Sequence, residues 1–547
     1  MVPLRSASGR TLALLLLTVL PPTLEAVLST HYGLRSVVGL APQASALPPF
    51  ATFHDLRWIS VYHNSWPQFA GELAVSVVVR GLWVTAIVLV AWPSHLRPRP
   101  PWGRALLTGV TGTAALTVAM LPWAAVSVAL SATSLSWFFV GGVGTVFVLA
   151  LVMQRAGLVS TWWRGAPPLA GALWAALAFL ILTIASVLVS TAPDPSPIVL
   201  AALFGAVNGW LWRRLLPAVL VARVRLVRVP VAPLVAVGLV VGIAPAGFLG
   251  RAALQDAGQP PVPLPARRNG DPPQAIIYVD GFDSVGDGGS IDGGGQAADS
   301  IPFELFSYAG LDAQGRPLPY QAEQTQQSLE RSAELLDAQV TKLHSRTGKP
   351  VALLGDSEGT LVVRTYLQTR PHPDVVAAVL LSPLPNPAAA SYPPPVARHG
   401  WGLATGAQLQ AIMAAVRWSS GLRIDTDAPF LRSLLDDPGR YRDQMFCPVP
   451  GTRLVAFVPL DAALADRPGN PIEVPFVLVD TLHGGAYDSS EVRRQIVAFL
   501  DGEAPATAGT AVYRVLRAAA VAWQAPPLRL RLVDPGSAGY GPPHCHA

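Results

Sequence analysis

The stretch Val351-Ala352-Leu353-Leu354-Gly355-Asp356-Ser357-Glu358-Gly359 joins a short apolar run to a Gly-x-Ser-x-Gly pentapeptide. The run is typical of a buried strand, and residues 360–367 after the pentapeptide are typical of a helix. A strand, a tight turn and a helix in this order are the context of a nucleophile elbow, whose strained turn exposes the serine hydroxyl. The flanking glycines keep side chains away from that turn. The sequence therefore predicts that Ser357 is a nucleophile.

The residues around this motif alternate between strand and helix patterns. A helix is predicted over 321–346, where apolar residues recur at helical spacing. Several of the predicted strands are continuous aliphatic runs, as in a parallel sheet buried on both faces. The six predicted strands are 275–280, 303–308, 351–354, 375–381, 454–459 and 474–479. This order predicts a doubly wound α/β domain over 275–503, with a cap inserted at about 382–451. A short helix at 511–523 and a loose tail are predicted within 504–547.

The composition divides the chain into two halves. Charged residues make up 13% of the chain, against roughly 25% in soluble domains, and residues 11–249 hold few of them. Seven stretches approach the roughly 20 apolar residues that cross a hydrocarbon core. They are 11–28, 73–92, 105–130, 137–153, 169–190, 198–216 and 231–249. The sequence predicts an all-α polytopic membrane bundle over 1–250, then a Pro-rich linker at 251–274. Six spans would remain if the first were a cleaved signal peptide.

Basic residues alternate between the links that join these spans. Arginines precede the first span and follow the second, fourth and sixth, whereas the other links hold almost none. By the positive-inside rule the N-terminus is cytoplasmic and the α/β domain extracytoplasmic, with or without the first span. The net charge of +5 comes with no nucleic-acid-binding motif, so nucleic acid is not predicted as a partner.

Charged residues within the spans need partners, because an unpaired charge at that depth costs several kcal/mol. Two such residues lie toward the outer side of the membrane: the acidic Glu25 in the first span and the basic Arg80 in the second. We expect them to form an ion pair. The alternative is that Arg80 extends to the outer headgroups. The aromatic and His-rich segment 54–66 is predicted to be an interfacial belt.

The chain has two cysteines, Cys447 and Cys545. Two cysteines exclude a disulfide framework and a CxxC zinc site, and they leave open one bridge or two free thiols. The loop 283–300 carries four aspartates among glycines, but their spacing matches neither an EF-hand nor a nonapeptide repeat. No metal and no cofactor are predicted, and this loop is expected to be a mobile lip.

The α/β region resembles the α/β-hydrolase superfamily, in its esterase and lipase branch, over roughly 275–503. A hydrolase fused to an actinobacterial-type membrane domain would have the layout of the whole chain. The elbow at Ser357 matches the superfamily motif, and Leu-Val-Asp-Thr-Leu-His-Gly-Gly at 478–485 resembles the last-strand loop that carries the base. The resemblance implies His483 as the base and Asp461, after the preceding strand, as the acid. Asp466 and Asp480 remain open as the acid.

These residue types suit acyl transfer. A serine hydroxyl needs a base to take its proton, and a carboxylate fixes the tautomer of that base. The oxyanion of the tetrahedral intermediate needs backbone N–H donors, for which Glu358 is predicted and, by the resemblance, Phe282. The turn after the first predicted strand, which carries Phe282, reads Asp280-Gly281-Phe282 where many members of the superfamily have His-Gly. Acidic residues flank the serine, and their charge would oppose an oxyanion unless it is paired or points away.

The expected function is that of a membrane-anchored, extracytoplasmic serine hydrolase that cleaves acyl esters, lipid esters among them, through a Ser-His-Asp triad. Its expected partners are membrane lipids and an acyl-ester substrate. Two alternatives stay open. One is a catalytically retired domain that binds a lipid or a protein partner, and the other is an accessory domain of a lipid-handling membrane bundle.

Overall fold

The computed structural model describes most of the chain. The described residues are 7–132, 169–220, 264, 274–288, 302–526 and 545, with short gaps at 33, 35–36, 94–98, 388–389, 391, 395, 421–424, 442–443 and 482. The predicted spans 137–153 and 231–249 lie outside them, as do nearly all of the linker and most of the loop 283–300.

The N-terminal half of the described chain is helical. Its helices are α1 (Ala7–His31), α2 (Pro48–Val61), α3 (Trp66–Ala91), α4 (Trp102–Ala132), α5 (Leu169–Thr191) and α6 (Ser196–Leu220). Among the described residues, four segments are long and apolar enough to cross a membrane: Ser8–His31, Trp66–Ala91, Trp102–Pro122 and Leu173–Thr191. All four fall on predicted spans. Helix α6 covers 198–216, the fifth predicted span that falls within the described residues. It is less apolar than the other four, because it contains Asn208 and a pair of arginines.

The link between α1 and α3 is folded into helices that the sequence did not predict. A 3₁₀ helix at Val38–Ser45 is buried along its whole length, and α2 follows it. Helix α2 begins at Pro48-Pro49, where a missing backbone N–H has no cost because the first helical turn leaves N–H groups unpaired. It packs against α3 and α4. The segment predicted as an interfacial belt therefore lies largely inside the fold.

The predicted Glu25–Arg80 pair is wrong. Arg80 forms a bidentate ion pair with Asp55 of α2, with Nε–Oδ2 and Nη2–Oδ1 distances of 2.8 and 2.6 Å. The Oε1 atom of Glu25 instead lies 3.0 Å from the Nε2 atom of His54. The cause of the difference is α2, which brings a carboxylate to Arg80 from a segment that reads as a link.

The C-terminal half is built on a six-stranded sheet. The strands are β1 (Ala275–Val279), β2 (Phe303–Leu305), β3 (Val351–Asp356), β4 (Val375–Leu381), β5 (Arg453–Pro459) and β6 (Phe476–Val479). Every pair of neighbours is parallel, in the order β2-β1-β3-β4-β5-β6. All six lie on predicted strands, so the prediction of a C-terminal parallel sheet is confirmed.

Helices cover both faces of this sheet. Alternate residues of β1 enter different cores, because successive side chains of a strand point to opposite faces: Ile277 packs with α7 (Leu329–Thr347) and α8 (Glu358–Thr369). Ile276 packs on the other face with α12 (Ser490–Leu500). The strand order reverses between β1 and β3, and ligands of such sheets bind outside the carboxyl ends of the strands at that reversal. The Ser357 turn follows β3 at this point.

The insertion between β4 and β5 contains α9 (Leu403–Ser420), α10 (Pro429–Asp436) and the short α11 (Pro438–Tyr441). Helix α9 packs against α2, α3 and α4, so part of this cap is attached to the helical half. Helix α13 (Thr510–Ala520) follows α12. The sequence predicts a helix to Trp523 and a loose tail after it, but the helix ends at Ala520 and residues 521–526 are buried.

Two glycines allow β3, the serine turn and α8 to pack closely. A Cβ atom on Gly359 would lie 2.0 Å from the carbonyl oxygen of Val279, and one on Gly355 would lie 2.6 Å from the carbonyl oxygen of Gly359. Both obstacles are backbone atoms of the sheet and the helix, which cannot move aside without separating them. The glycines are therefore required by packing as well as by the turn.

Replacing Gly359 with alanine is expected to destabilise the protein by about 3 kcal/mol, because the added methyl group forces β1 and α8 apart. The measurement is chemical unfolding of the full-length protein. Gly439→Ala is the control, since its Cβ would meet nothing closer than 3.8 Å, and a change within about 0.5 kcal/mol is expected. Equal stability of the two variants would contradict the close packing.

Candidate active site

Ser357 lies on the sharp turn between β3 and α8. Its φ and ψ are 51° and −116°, a conformation that residues other than glycine rarely adopt, and such strain costs on the order of 1–3 kcal/mol. The turn is held by the bond from Ser357 N–H to the carbonyl of Leu381 in β4, at 3.1 Å. This is the strained strand–turn–helix geometry that the sequence predicts, and it presents the hydroxyl at the carboxyl edge of the sheet.

The structure brings Ser357 and His483 together. Ser357 Oγ lies 2.8 Å from His483 Nε2, although 126 residues separate them in the chain. His483 stands in the loop after β6, whose strand end lies at the same edge of the sheet as that of β3. The loop is fixed by Ser382, whose Oγ accepts the backbone N–H of Gly484 at 3.1 Å. A base thus lies within proton-transfer distance of the serine hydroxyl.

Asp461 lies beside His483, at the first turn of a 3₁₀ helix (Leu460–Leu464) that follows β5. Its Oδ2 accepts the backbone N–H of His483 at 3.0 Å. Its other oxygen, Oδ1, is buried and has no hydrogen-bond partner among the described residues. Burial raises the pKa of this carboxyl, while the His483 N–H lowers it. The carboxylate therefore positions the histidine loop and retains one free acceptor.

The two alternative acids lie in other surroundings. Asp466 is fully buried and forms an ion pair with Arg517 at 3.0 Å, and its Oδ1 accepts a bond from Asn470 at 2.6 Å. Asp480 is exposed at the end of β6. Of the three candidate carboxylates, Asp461 is the one that contacts His483 through a hydrogen bond recorded in the described structure.

Burial controls the protonation of the histidine. His483 is partly buried, and desolvation lowers its pKa to about 4, because an imidazolium that loses hydration loses the stabilisation of its charge. The imidazole is consequently neutral near pH 7 and able to accept a proton from Ser357.

The predicted oxyanion donors flank the serine. Glu358 is the first residue of α8, so its backbone N–H has no acceptor within the helix. The loop after β1 passes directly over the serine: a Cβ atom on Gly281 would lie 3.0 Å from Ser357 Cβ and 3.5 Å from Ser357 Oγ. Phe282 is the next residue, and its ring packs 5.7 Å from that of Phe430 in the cap. Both predicted donors therefore belong to segments that adjoin the hydroxyl.

The acidic residues on either side of Ser357 are buried. Burial, with the charge of Asp280 as the second cause, raises the pKa of Asp356 to about 8. The same two causes raise the pKa of Glu358 well above its usual range. Tyr278 Oη donates to Asp356 Oδ2 at 3.2 Å. Asp356 is thus mainly neutral at pH 7, and the shift at Glu358 disfavours its charged form, so the two carboxyls place less negative charge beside a developing oxyanion.

Ser382 was not predicted as part of the site. It is fully buried, has a φ of 44°, and holds the loop of His483 from the end of β4. Its position directly after a predicted strand, at the edge that carries the serine, is the signal that could have identified it.

Comparisons with known proteins add little. No protein-family model and no curated protein matches the chain. Among solved structures, the chain is similar to one named as a non-heme bromoperoxidase from Mycobacterium tuberculosis, with 14% identity and a TM-score of 0.24, over 45% of this chain and 98% of that chain. A similarity at this level does not assign an activity. Within its described residues, the chain has a helical N-terminal region with four candidate spans and a C-terminal parallel sheet covered by helices.

Proposed function

We propose that this protein is a membrane-anchored serine hydrolase that cleaves acyl esters. The observation that carries the proposal is the 2.8 Å distance between Ser357 Oγ and His483 Nε2 on a strained strand–helix turn. A chance pair of surface residues would need neither the strained serine nor the desolvated, partly buried imidazole. The acid in this proposal is Asp461.

The proposed reaction has two steps. Ser357 Oγ attacks the ester carbonyl while His483 Nε2 takes its proton, and the N–H groups of Glu358 and Phe282 receive the oxyanion. The intermediate collapses to an acyl-serine, and His483 gives its proton to the departing alcohol. A water molecule then attacks the acyl-serine with His483 as base, which releases the carboxylic acid and restores the serine.

The contacts between the two halves support an extracytoplasmic position for the hydrolase. The backbone N–H of Gly400 donates to the carbonyl of Asn64, just before α3, at 2.8 Å. Other contacts reach Ser127 and Thr183, which lie in the second halves of α4 and α5. The arginine pattern predicts that the start of α3 and the ends of α4 and α5 are outside. A hydrolase half that contacts these helix ends would lie near lipid, which supports lipid esters as substrates.

The two cysteines provide a test of the location. Cys447 and Cys545 form a disulfide, and disulfides persist in oxidising compartments. Protein taken from native membranes and denatured without reductant is expected to react with no maleimide-polyethylene glycol, and with two equivalents after reduction. Two reactive thiols before reduction would contradict an extracytoplasmic hydrolase domain.

Hydrolysis of 4-nitrophenyl esters by the full-length protein in detergent tests the function. We expect turnover with kcat/KM constant between about pH 5 and 7. It falls below about pH 4 as His483 becomes protonated and can no longer accept a proton. It also falls above about pH 8, as ionised Asp356 opposes the oxyanion. A series of acyl chain lengths identifies the preferred ester.

Two results would contradict these expectations. Folded protein without turnover at any pH and with any chain length would favour the retired, ligand-binding domain. An acid limb near pH 6.5, the pKa of an exposed histidine, would show that His483 is not desolvated in the working enzyme.

A further inference from the structure

The segment after α13 lies between the two halves of the protein. Residues 521–526 are all buried, although they follow the last helix of the hydrolase half. Helix α13 itself packs against both α5 and the 3₁₀ helix that carries Asp461. We call residues 521–526 the strut. Its backbone carbonyls and two of its side chains make hydrogen bonds to the helical half on one side and to the loop that carries Asp461 on the other.

On one side, the strut is bound by the helical half. Arg57 of α2 is completely buried, and its Nη1 atom donates to the carbonyls of Ala522 and Gln524 at 3.1 and 2.5 Å. Gln43 Nε2 also donates to the carbonyl of Ala522, and Arg57 Nη2 donates to Gln43 Oε1. In the described part of the chain, Arg57 forms no ion pair with a carboxylate. Its buried charge is compensated by these carbonyl and amide oxygens.

The side chain of Trp523 extends the same contact into the bundle. Its ring stacks on Phe179 of α5, with centroids 4.3 Å apart, and its Nε1 donates to Thr183 Oγ1 at 3.0 Å. Its carbonyl accepts a bond from Ser127 Oγ of α4 at 3.3 Å. The strut is thus attached to three helices of the N-terminal half.

On the other side, the strut holds the loop that carries Asp461. Gln524 Nε2 donates to the carbonyls of Leu464 and Asp466 at 2.6 and 2.7 Å. Arg467, from the same loop, is buried and donates to the carbonyl of Ala525. Two buried arginines, one from each half, therefore bind neighbouring carbonyls of a single short segment.

We propose that Arg57 is a positioning residue for the reaction: through the strut, the helical half fixes the loop of Asp461 and so the histidine beside Ser357. The inference rests on the proposed function and deepens it, because it makes the helical half part of the catalytic apparatus. Loss of the guanidinium leaves buried carbonyls unpaired and lets the loop move. Displacements of about 1 Å cost on the order of 10²-fold in rate.

The test uses full-length protein and counts active sites at completion of fluorophosphonate labelling. Arg57→Met keeps the length of the side chain but removes its donors. We expect kcat per labelled site to fall about tenfold or more, with KM within about twofold of wild type. Arg57→Lys, which restores a cationic donor, is expected to recover part of kcat. A variant that only folds less well would lose labelled sites, while each remaining site kept its kcat.

A double-mutant cycle separates positioning of the acid from general damage. In an Asp461→Asn background, Arg57→Met is expected to change kcat per site by less than about twofold, because the group that it positions is already lost. Gln524→Leu removes the bonds to the loop of Asp461 but leaves the bonds from Arg57 to the strut. For this variant we also expect a lower kcat per site in the wild-type background and little change in the Asp461→Asn background. Arg453→Met is the control, since Arg453 donates to the carbonyl of Phe499 at the opposite end of β5.

The outcomes distinguish this inference from the proposed function. If wild-type protein neither reacts with the fluorophosphonate nor turns over esters, the proposed function fails. If wild type is active and both Arg57→Met and Gln524→Leu keep the wild-type kcat per site, the role of Arg57 is refuted, but the proposed function is not. Equal losses from Arg57→Met in the wild-type and Asp461→Asn backgrounds would also refute it.

Discussion

The Ser357→Ala variant is expected to hydrolyse a short-chain 4-nitrophenyl ester with a kcat about 10⁶-fold below that of wild type. The oxygen of the hydroxyl forms the acyl intermediate in the proposed reaction, and His483 Nε2, which takes its proton, lies 2.8 Å from it. KM is expected to change little, because the binding surface is unchanged. Steady-state kinetics of the full-length protein measure both constants.

The control for this variant is Ser345→Ala. Ser345 is exposed on α7 and bonds only the carbonyl of Lys342 among the described contacts, at 2.9 Å. Its replacement is expected to leave kcat unchanged. Retention of most of the ester turnover in Ser357→Ala, at wild-type folding, would show that the hydrolysis arises elsewhere on the protein.

The second large effect is expected at Asp461. Asp461→Asn keeps the size of the side chain but removes the carboxylate that, in the proposed reaction, stabilises the imidazolium, and kcat is expected to fall about 10⁴-fold. The asparagine amide also presents a donor where the histidine needs an acceptor.

The other two carboxylates give matched comparisons. Asp480→Asn is expected to leave kcat within about twofold of wild type, because its side chain is exposed. Asp466→Asn breaks a buried ion pair with Arg517, so a loss of about 3 kcal/mol in unfolding free energy is expected, with kcat per folded site largely retained. A 10⁴-fold loss in Asp480→Asn, with an active Asp461→Asn, would assign the acid to Asp480.

The sequence predicts the sheet well because most of its strands are short apolar runs buried on both faces. The six strands carry no competing pattern, and the glycines of the elbow fix where β3 must turn. Ser357 was predicted from its elbow motif, and His483 from the resemblance of its loop to the last-strand loop of the α/β-hydrolase superfamily. Both follow predicted strands of a parallel sheet, whose carboxyl ends lie at one edge.

The parts that the sequence did not predict depend on contacts between distant segments. Asp55 pairs with Arg80 because α2 folds back among the spans, and a link rich in aromatics carries no signal of that. Three aspartates follow the last two strands, and the bond from His483 N–H to Asp461, which favours it over the others, is a matter of loop geometry. The sequence predicts the strut as the end of a helix and the start of a loose tail, because its burial comes from Arg57 and α5, which lie more than 300 residues earlier.

The central claim is that the hydroxyl of Ser357 is the reactive nucleophile of the folded, full-length protein. Fluorophosphonate labelling followed by peptide mass spectrometry tests it most directly, because the reagent adds covalently to an activated serine and the modified peptide identifies the residue. The account predicts one adduct per chain, on Ser357, and none in folded His483→Ala. A folded wild-type protein that remains unlabelled, or that is labelled on another serine while Ser357 stays free, would contradict it.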